Sequence, residues 1–241
     1  MDNTINFFKF DLQKHATINL PDAPETNVAT VGKDYLLYIN TGTTYAPTWT
    51  VIGGQRGATL NQTAEEIDVA SKSSGGWGEK LPGMRSWSID LDGLVLLNNQ
   101  GIEALRMAFA QGKKINIKLR YPDNSYQVGW AALTDFSSEM PHDGEASLSG
   151  TLSGNGPLSN ISVKVSKAAA TDQIFAFEAK AKATGVKLAG AEVTAANYEN
   201  DEEGQITLTG DYLETLATGE HLFYVDLSIG GFSLVAVDIA A

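Results

Sequence analysis

Apolar and polar residues alternate most cleanly between Ser86 and Asp92. Trp87, Ile89 and Leu91 share one face, and Ser86, Ser88, Asp90 and Asp92 share the other. This period of two predicts a strand with one side against a core. Ile115 to Tyr121 repeats the pattern, with Asn116, Lys118 and Arg120 on its polar face. The turn Pro122-Asp123-Asn124-Ser125 sends the chain back through Tyr126 to Phe136 as a hairpin partner. A strand from Glu145 to Gly154 turns Leu148 and Leu152 inward and Ser147, Ser149, Thr151 and Ser153 outward. Two aromatic, β-branched runs, Asp34 to Asn40 and Trp49 to Ile52, are bounded by glycine and asparagine turns and read as strands. The period changes between Asn98 and Gln111. Ile102, Leu105 and Phe109 form one stripe, widened by Met107 and Ala108, with Asn98 or Asn99 as cap and Gly112 beyond the end. These features predict a single helix in this half.

Between Gly53 and the strand at Ser86 the pattern is lost. Residues 57–84 are polar and rich in glycine and serine, and read as a long loop; Ala64 to Val69 fits a short strand and a turn of helix equally. Loops of this length are functional or disordered. Trp77 argues against a disordered linker, so the loop is expected to gain order by packing on another subunit. Residues 1–31 are weakly patterned. Phe7, Phe8 and Phe10 suit either an edge strand or an arm that docks on a neighbouring subunit.

Gly154-Asn155-Gly156-Pro157-Leu158 reads as a domain boundary. Beyond it, strands are expected at Ile161–Val165, Gln173–Ala179, Gln205–Leu208, His221–Ile229 and Phe232–Ile239, with a helical turn at Tyr212–Leu216. Short strands separated by turns suit a small immunoglobulin-like sandwich.

Composition narrows the function. Cysteine is absent, which removes disulfides, thiol nucleophiles and zinc-thiolate sites. A net charge of -12 repels phosphate and disfavours tight nucleic-acid binding. The N-terminal residues lack a secretory signal pattern, and no run has the apolar length of a membrane span.

The candidate chemistry is sparse. His15, His142 and His221 are isolated, and His142 beside Asp143 reads as a solvated turn. Asp90 and Asp92 fall on one strand face about 6.6 Å apart, within glycosidase range. They alternate with serines on a polar face, where burial does not perturb a carboxylate. Glu65-Glu66 diverge if extended. Asp90-Leu91-Asp92-Gly93 and Asn200 to Gly204 only partly resemble calcium loops, and Gly154-x-Gly156-Pro157 opens no helix. Lys114, Asn116, Lys118 and Arg120 form a polar-basic row that reads as a solvated or inter-subunit face. No catalytic residue, cofactor or metal ligand is assigned.

A series of motifs in order adds a family resemblance. Trp49-x-x-Ile52-Gly53-Gly54-Gln55-Arg56-Gly57-Ala58-Thr59-Leu60 is followed by Ile67-Asp68-Val69-x-Ser71-Lys72. Then come Gly75-Gly76-Trp77-x-Glu79-Lys80-Leu81-Pro82-Gly83, Trp87-Ser88-Ile89 and Leu91-Asp92-Gly93-Leu94, and finally Leu152-x-Gly154-x-Gly156-Pro157-Leu158. Over roughly 32–158 the chain resembles the major tail protein, or tail tube protein, of long flexible-tailed phages. The implied fold is mainly β: a tail-tube β-sandwich or half-barrel with one flanking α-helix, followed by a small immunoglobulin-like β-sandwich. The implied domains are 1–158, including the 1–31 arm and the 57–84 loop, and 159–241, a decorating module similar to those on tail and bacterial surface proteins. Tyr212-Leu213-x-x-Leu216-Ala217-x-Gly219 and the following strand carry that second likeness.

The resemblance implies a structural virion protein, not an enzyme, made in the host cytoplasm. Six copies would close into a ring, and rings would stack into a hollow tube that meets other tail proteins at its ends and inserts in no membrane. DNA would pass through the lumen only transiently. Arg56, Trp77, Glu79, Lys80 and Pro82 are the expected inter-subunit contacts. Ser86, Ser88, Asp90 and Asp92, with Ser147, Ser149 and Thr151, are the expected lumen lining, because small polar and acidic side chains retain DNA weakly. The rival expectation is a surface adhesin whose C-terminal module recognises a cell-surface glycan or protein. A chain ending near Leu158 is expected to assemble by itself.

Overall fold

A computed structural model describes residues 30–177, 181–201 and 204–241. The expected N-terminal arm, with Phe7, Phe8, Phe10 and His15, lies outside the described residues, apart from its last two positions. So do residues 178–180 and 202–203.

The alternating segments become the strands of an antiparallel sheet. In chain order these are β1 (Leu36–Asn40), β2 (Trp49–Val51), β3 (Gln55–Asp68) and β4 (Lys80–Leu94), then, after α1 (Gln100–Gln111), β5 (Ile115–Arg120), β6 (Tyr126–Glu139) and β7 (Ser147–Leu158). They form a seven-stranded sheet in the order β2-β1-β5-β6-β7-β4-β3. The sheet curls until strands far apart in that order meet. The Gln55 side chain, at the start of β3, accepts from Leu37 N at 2.8 Å and donates to Leu37 O at 2.8 Å, so it substitutes for a strand partner along β1. Inside the curl, Leu37 and Ile39 of β1 and Ile117 and Leu119 of β5 share one core with Trp87, Ile89 and Leu91 of β4 and Leu148 and Leu152 of β7. The result is the expected sandwich or half-barrel with a flanking helix.

Helix α1 starts where its cap begins. Asn99 Oδ1 accepts from Ile102 N at 3.0 Å, and Gly112 ends the helix in the left-handed region at φ 60°. Lys113 N returns to Ala108 O at 3.0 Å, closing the last turn. The buried stripe is Ile102, Leu105 and Ala108. Phe109 and Met107, expected in the stripe, are exposed; the Phe109 ring lies 6.1 Å from that of Phe136.

Trp87 shows why the glycines of the final motif matter. Its indole N–H donates to Gly156 O at 2.9 Å, which satisfies the polar edge of a buried ring. A Cβ on Gly154 would come within 2.4 Å of the indole, and one on Gly129 within 2.6 Å. Both strands lack a side chain there because the ring occupies that volume. The segment expected as a boundary, Gly154 to Leu158, is therefore the end of β7.

The C-terminal residues build two further sheets. β8 (Val163–Ser166), β9 (Gln173–Ala176), β10 (Ala183–Leu188), β11 (Ala191–Glu192), β12 (Tyr198–Asn200) and β13 (Gln205–Leu208) precede α2 (Gly210–Thr215), β14 (Gly219–Leu227) and β15 (Phe232–Ala240). The orders are β11-β10-β14-β15-β8 and β12-β13-β9. Phe175, Ile206 and Leu208 of the smaller sheet pack with Val186, Phe223, Val225, Val235 and Val237 of the larger, giving the expected two-sheet sandwich a core of its own. A third apolar cluster joins Tyr126 and Val128 of β6 to Ala236 of β15, with Trp49 and Leu222 against it. Residues Val31–Ala241 thus form one compact unit.

Candidate assembly surfaces

The segment expected as a loop is mostly a hairpin. β3 and β4 stay paired from Gln55↔Gly93 out to Asp68↔Lys80, with irregularities at two points. Only the tip is a loop, closed by Val69 N to Glu79 O at 2.9 Å. The outer half of the ladder has both faces exposed, so no core imprinted an apolar period on its sequence. Its 14 residues in β3 reach about 45 Å at the usual rise per residue.

The five expected contact residues divide along this hairpin. Trp77 stands in the tip at 82% exposure. Glu79 and Pro82 are exposed beside it, and Lys80 pairs with Glu66 across the ladder. Arg56 sits at the other end, where Nη2 reaches Glu145 Oε2 at 2.6 Å. The structure thus brings Trp77, Glu79, Lys80 and Pro82 together and sets Arg56 apart.

The seven expected lumen residues occupy one continuous face, opposite the core. Asp90 is level with Thr151, Asp92 with Ser149 and Ser88 with Ser153 across β4 and β7. β3 extends the face with Thr59, Asn61 and Thr63, and β6 adds Asp135 and Ser137. Sequence reasoning missed these five, although Thr59, Asn61 and Thr63 alternate as a strand row should. The face bonds to itself. Asp90 accepts from Asn61 Nδ2 and from Thr151 Oγ1, each at 2.9 Å. The hydroxyl pairs Thr63–Ser86, Ser137–Ser149 and Thr134–Ser153 lie at 2.8, 2.7 and 2.9 Å. The ionisable side chains among these named positions, Asp90, Asp92 and Asp135, are all acids, and Arg56 lies close enough to Asp92 to interact with it.

Asn116 and Lys118 on β5 are neither solvated nor left for another subunit, which corrects that expectation for these two, while Arg120 is half-buried, with its guanidinium on the Tyr38 hydroxyl at 3.3 Å and on Asn124. Asn116 and Lys118 are each 5% exposed, because the C-terminal sandwich covers them. Lys118 Nζ reaches both carboxylate oxygens of Glu220 at 2.9 and 2.8 Å. It also lies 4.9 Å from the Trp49 ring centre, 5.3 Å from that of Tyr38 and 5.5 Å from that of Tyr126. A buried ammonium needs such company, since desolvation without a partner costs several kcal/mol. Lys114 stands outside this box and is exposed.

The connector to the sandwich is stitched to β6. Ser159 N donates to Val128 O at 2.9 Å, and its hydroxyl accepts from Val128 N at 2.8 Å. Ser162 repeats the pattern with Tyr126 at 2.8 and 3.0 Å. Asn160 pairs through its side-chain amide with both backbone groups of Ala236. The Tyr126 hydroxyl donates toward Val237 O at 3.2 Å, and burial pushes its phenol pKa well up, keeping it a neutral donor. His142 and Asp143 stand exposed in their turn, 3.5 Å apart.

Comparison with known proteins accounts for this arrangement. The family model described as phage tail tube protein matches residues 29–160, more than half the chain, ending just past β7. No curated protein matches the chain. Among solved structures, the chain is similar to the tail of an empty gene transfer agent particle, computed with helical refinement and C6 symmetry. The two share 30% identity and a TM-score of 0.50, over 56% of this chain and 100% of that one. A chain from the virion of the native gene transfer agent particle is also 30% identical, with a TM-score of 0.49, over 54% of this chain and 98% of its own. The SPP1 tail tube is more distant, at 14% identity and a TM-score of 0.46, over 53% and 77%. The chain belongs to the phage tail tube protein family, and is by that membership a structural component of the virion tail.

Proposed function

We propose that six copies close into a ring, that rings stack into the tail tube, and that the β3–β4–β7–β6 polar face lines a lumen through which DNA passes. The observation that carries this reading is the face itself. It is broad, lacks large apolar side chains among the named positions, and already uses its hydroxyls and amides on one another. Its carboxylates repel phosphate, so few counterions are exchanged and DNA slides without being held. Six-fold closure is supported by the C6 symmetry of the gene transfer agent tail, 30% identical over all of its length. Stacking is supported by the hairpin, whose outer half has both faces exposed among the described residues. Other tail proteins would meet the tube at its ends.

Electron microscopy of the purified chain tests the reading. Six-fold rings or tubes are expected, with Asp90 and Asp92 facing the bore in a reconstructed map. A map that buries these residues between subunits, or a preparation that stays monomeric at high concentration, would overturn it.

A further inference from the structure

We propose that the exposed apolar side chains Leu96, Leu97 and Met140, on segments at one end of the sheet, form the seat for the Trp77 tip of a second copy in the next ring. This rests on the tube reading above and names the contact by which one ring holds another.

The two patches lie at opposite ends of the β3–β4 ladder. At one end, Trp77 is 82% exposed, with Leu81 at 54% and Ile67 at 49% opposite each other on the ladder. At the other end, the ladder closes with Leu94 N on Gly54 O at 2.8 Å. There the chain segments after β4 and before β7 are joined by Val95 N to Ala146 O at 2.9 Å. These segments expose Leu97 at 86%, Met140 at 72% and Leu96 at 40%. About 45 Å of strand separates the patches, so a tip cannot reach the seat of its own copy.

The seat is ordered, which is unusual for so exposed a leucine. Asn98 holds the left-handed region at φ 59°, and Asn99 both caps α1 and accepts from Gly53 N at 3.2 Å. The turn therefore fixes Leu97 outward. Apolar surface held in water by a fixed turn is stabilised by any partner that covers it. A rigid indole on a protruding turn suits a shallow seat of leucine and adaptable methionine.

Charge permits the approach. In a chain of net charge -12, like copies repel. Each patch sits beside a pair neutralised within its own copy, Lys80–Glu66 at the tip and Arg56–Glu145 at the seat. The tip and seat differ in shape and composition, so their contact is heterologous. A head-to-tail contact along one direction does not close on itself and propagates as a stack.

The chain has no cysteine, so an introduced pair reports one contact. A Cβ at Gly78 would meet nothing within 4 Å, and His142 is 97% exposed. Tubes of the Gly78→Cys/His142→Cys chain, mildly oxidised, are expected to run on denaturing gels as covalent ladders extending beyond six copies. Neither single variant should give such a ladder. Leu97→Asp is expected to leave six-fold rings and the unfolding midpoint unchanged while tube length falls at least tenfold. Tubes without cross-links, ladders already complete in isolated single rings, or Leu97→Asp tubes of normal length would each overturn the proposal alone. Failure of the native chain to form any ring or tube would overturn the tube reading and this proposal with it.

Discussion

Two polar rows of the same sheet have opposite fates. On β4, Ser86, Ser88, Asp90 and Asp92 alternate with Trp87, Ile89 and Leu91; on β5, Asn116, Lys118 and Arg120 alternate with Ile115, Ile117 and Leu119. Read along the chain, both are strands with one wet face. In the fold, the β4 row is open and bonds laterally to β3 and β7, while Asn116 and Lys118 of the β5 row lie under the C-terminal sandwich. Alternation reports which side of a strand meets the first core. It does not report whether the other side meets water or a second layer. The difference lies in the partners. Ser86 and Asp90 on β4 are satisfied by Thr63, Asn61 and Thr151 on neighbouring strands of the same sheet, whereas Lys118 depends on Glu220 of another sheet, 102 residues further on.

Removing the second layer should show this contrast most strongly. A chain ending at Leu158 uncovers Trp49, Tyr126, Val128 and Lys118 together, and deletes the Ser159 and Ser162 bonds that extend β6. It is expected to lose at least about 3 kcal/mol, from the burial of Tyr126 and Val128 alone. The loss is measured by denaturant unfolding, with aggregation in place of assembly. An unchanged midpoint would mean that the sandwich is only an ornament, as the sequence by itself suggested.

A smaller change asks whether the lysine or the covering matters more. Lys118→Ala should cost about 2 kcal/mol, less than for a fully buried pair because the Glu220 side chain remains 41% exposed and can rehydrate. Lys118→Met keeps the stem against the rings and should cost clearly less, measured as the shift in unfolding midpoint. If the two variants melt together, the charge rather than the packing stabilises the junction.

The least effect belongs to the open row. Asp90→Asn, with both of its partners exposed hydroxyl or amide groups, should shift stability by less than about 0.5 kcal/mol and leave tube formation intact. A large loss of stability would show that this face is structurally strained, and would erase the contrast with β5.

Much of the fold was legible where a single core wrote a period into the chain. Trp87-Ile89-Leu91 marked the inner half of β4, and the Asn98-Asn99 pair and Gly112 marked the two ends of α1, with the structure choosing Asn99 as the cap. The polar face was read from β4 and β7 but not from β3 or β6. Thr59, Asn61 and Thr63 fell inside a stretch treated as loop, and Asp135 and Ser137 follow a ladder irregularity in β6. The hairpin was missed for a physical reason. With water on both sides, any polar residue serves, and only backbone pairing holds the strands. β10 was missed because Ala183-Thr184-Gly185-Val186-Lys187-Leu188 carries too few β-branched residues, although β14 pairs along it.

By itself, the sequence determined the local elements: which residues face a core and where α1 is capped. The tertiary structure alone decided the curl that brings Gln55 to Leu37, the reach of the β3–β4 hairpin, and the burial of Lys118. Local patterning depends on residues two to four positions apart, which a chain displays openly. Each of the other features depends on complementarity between distant segments, or on solvent at both faces, and neither leaves a period to read.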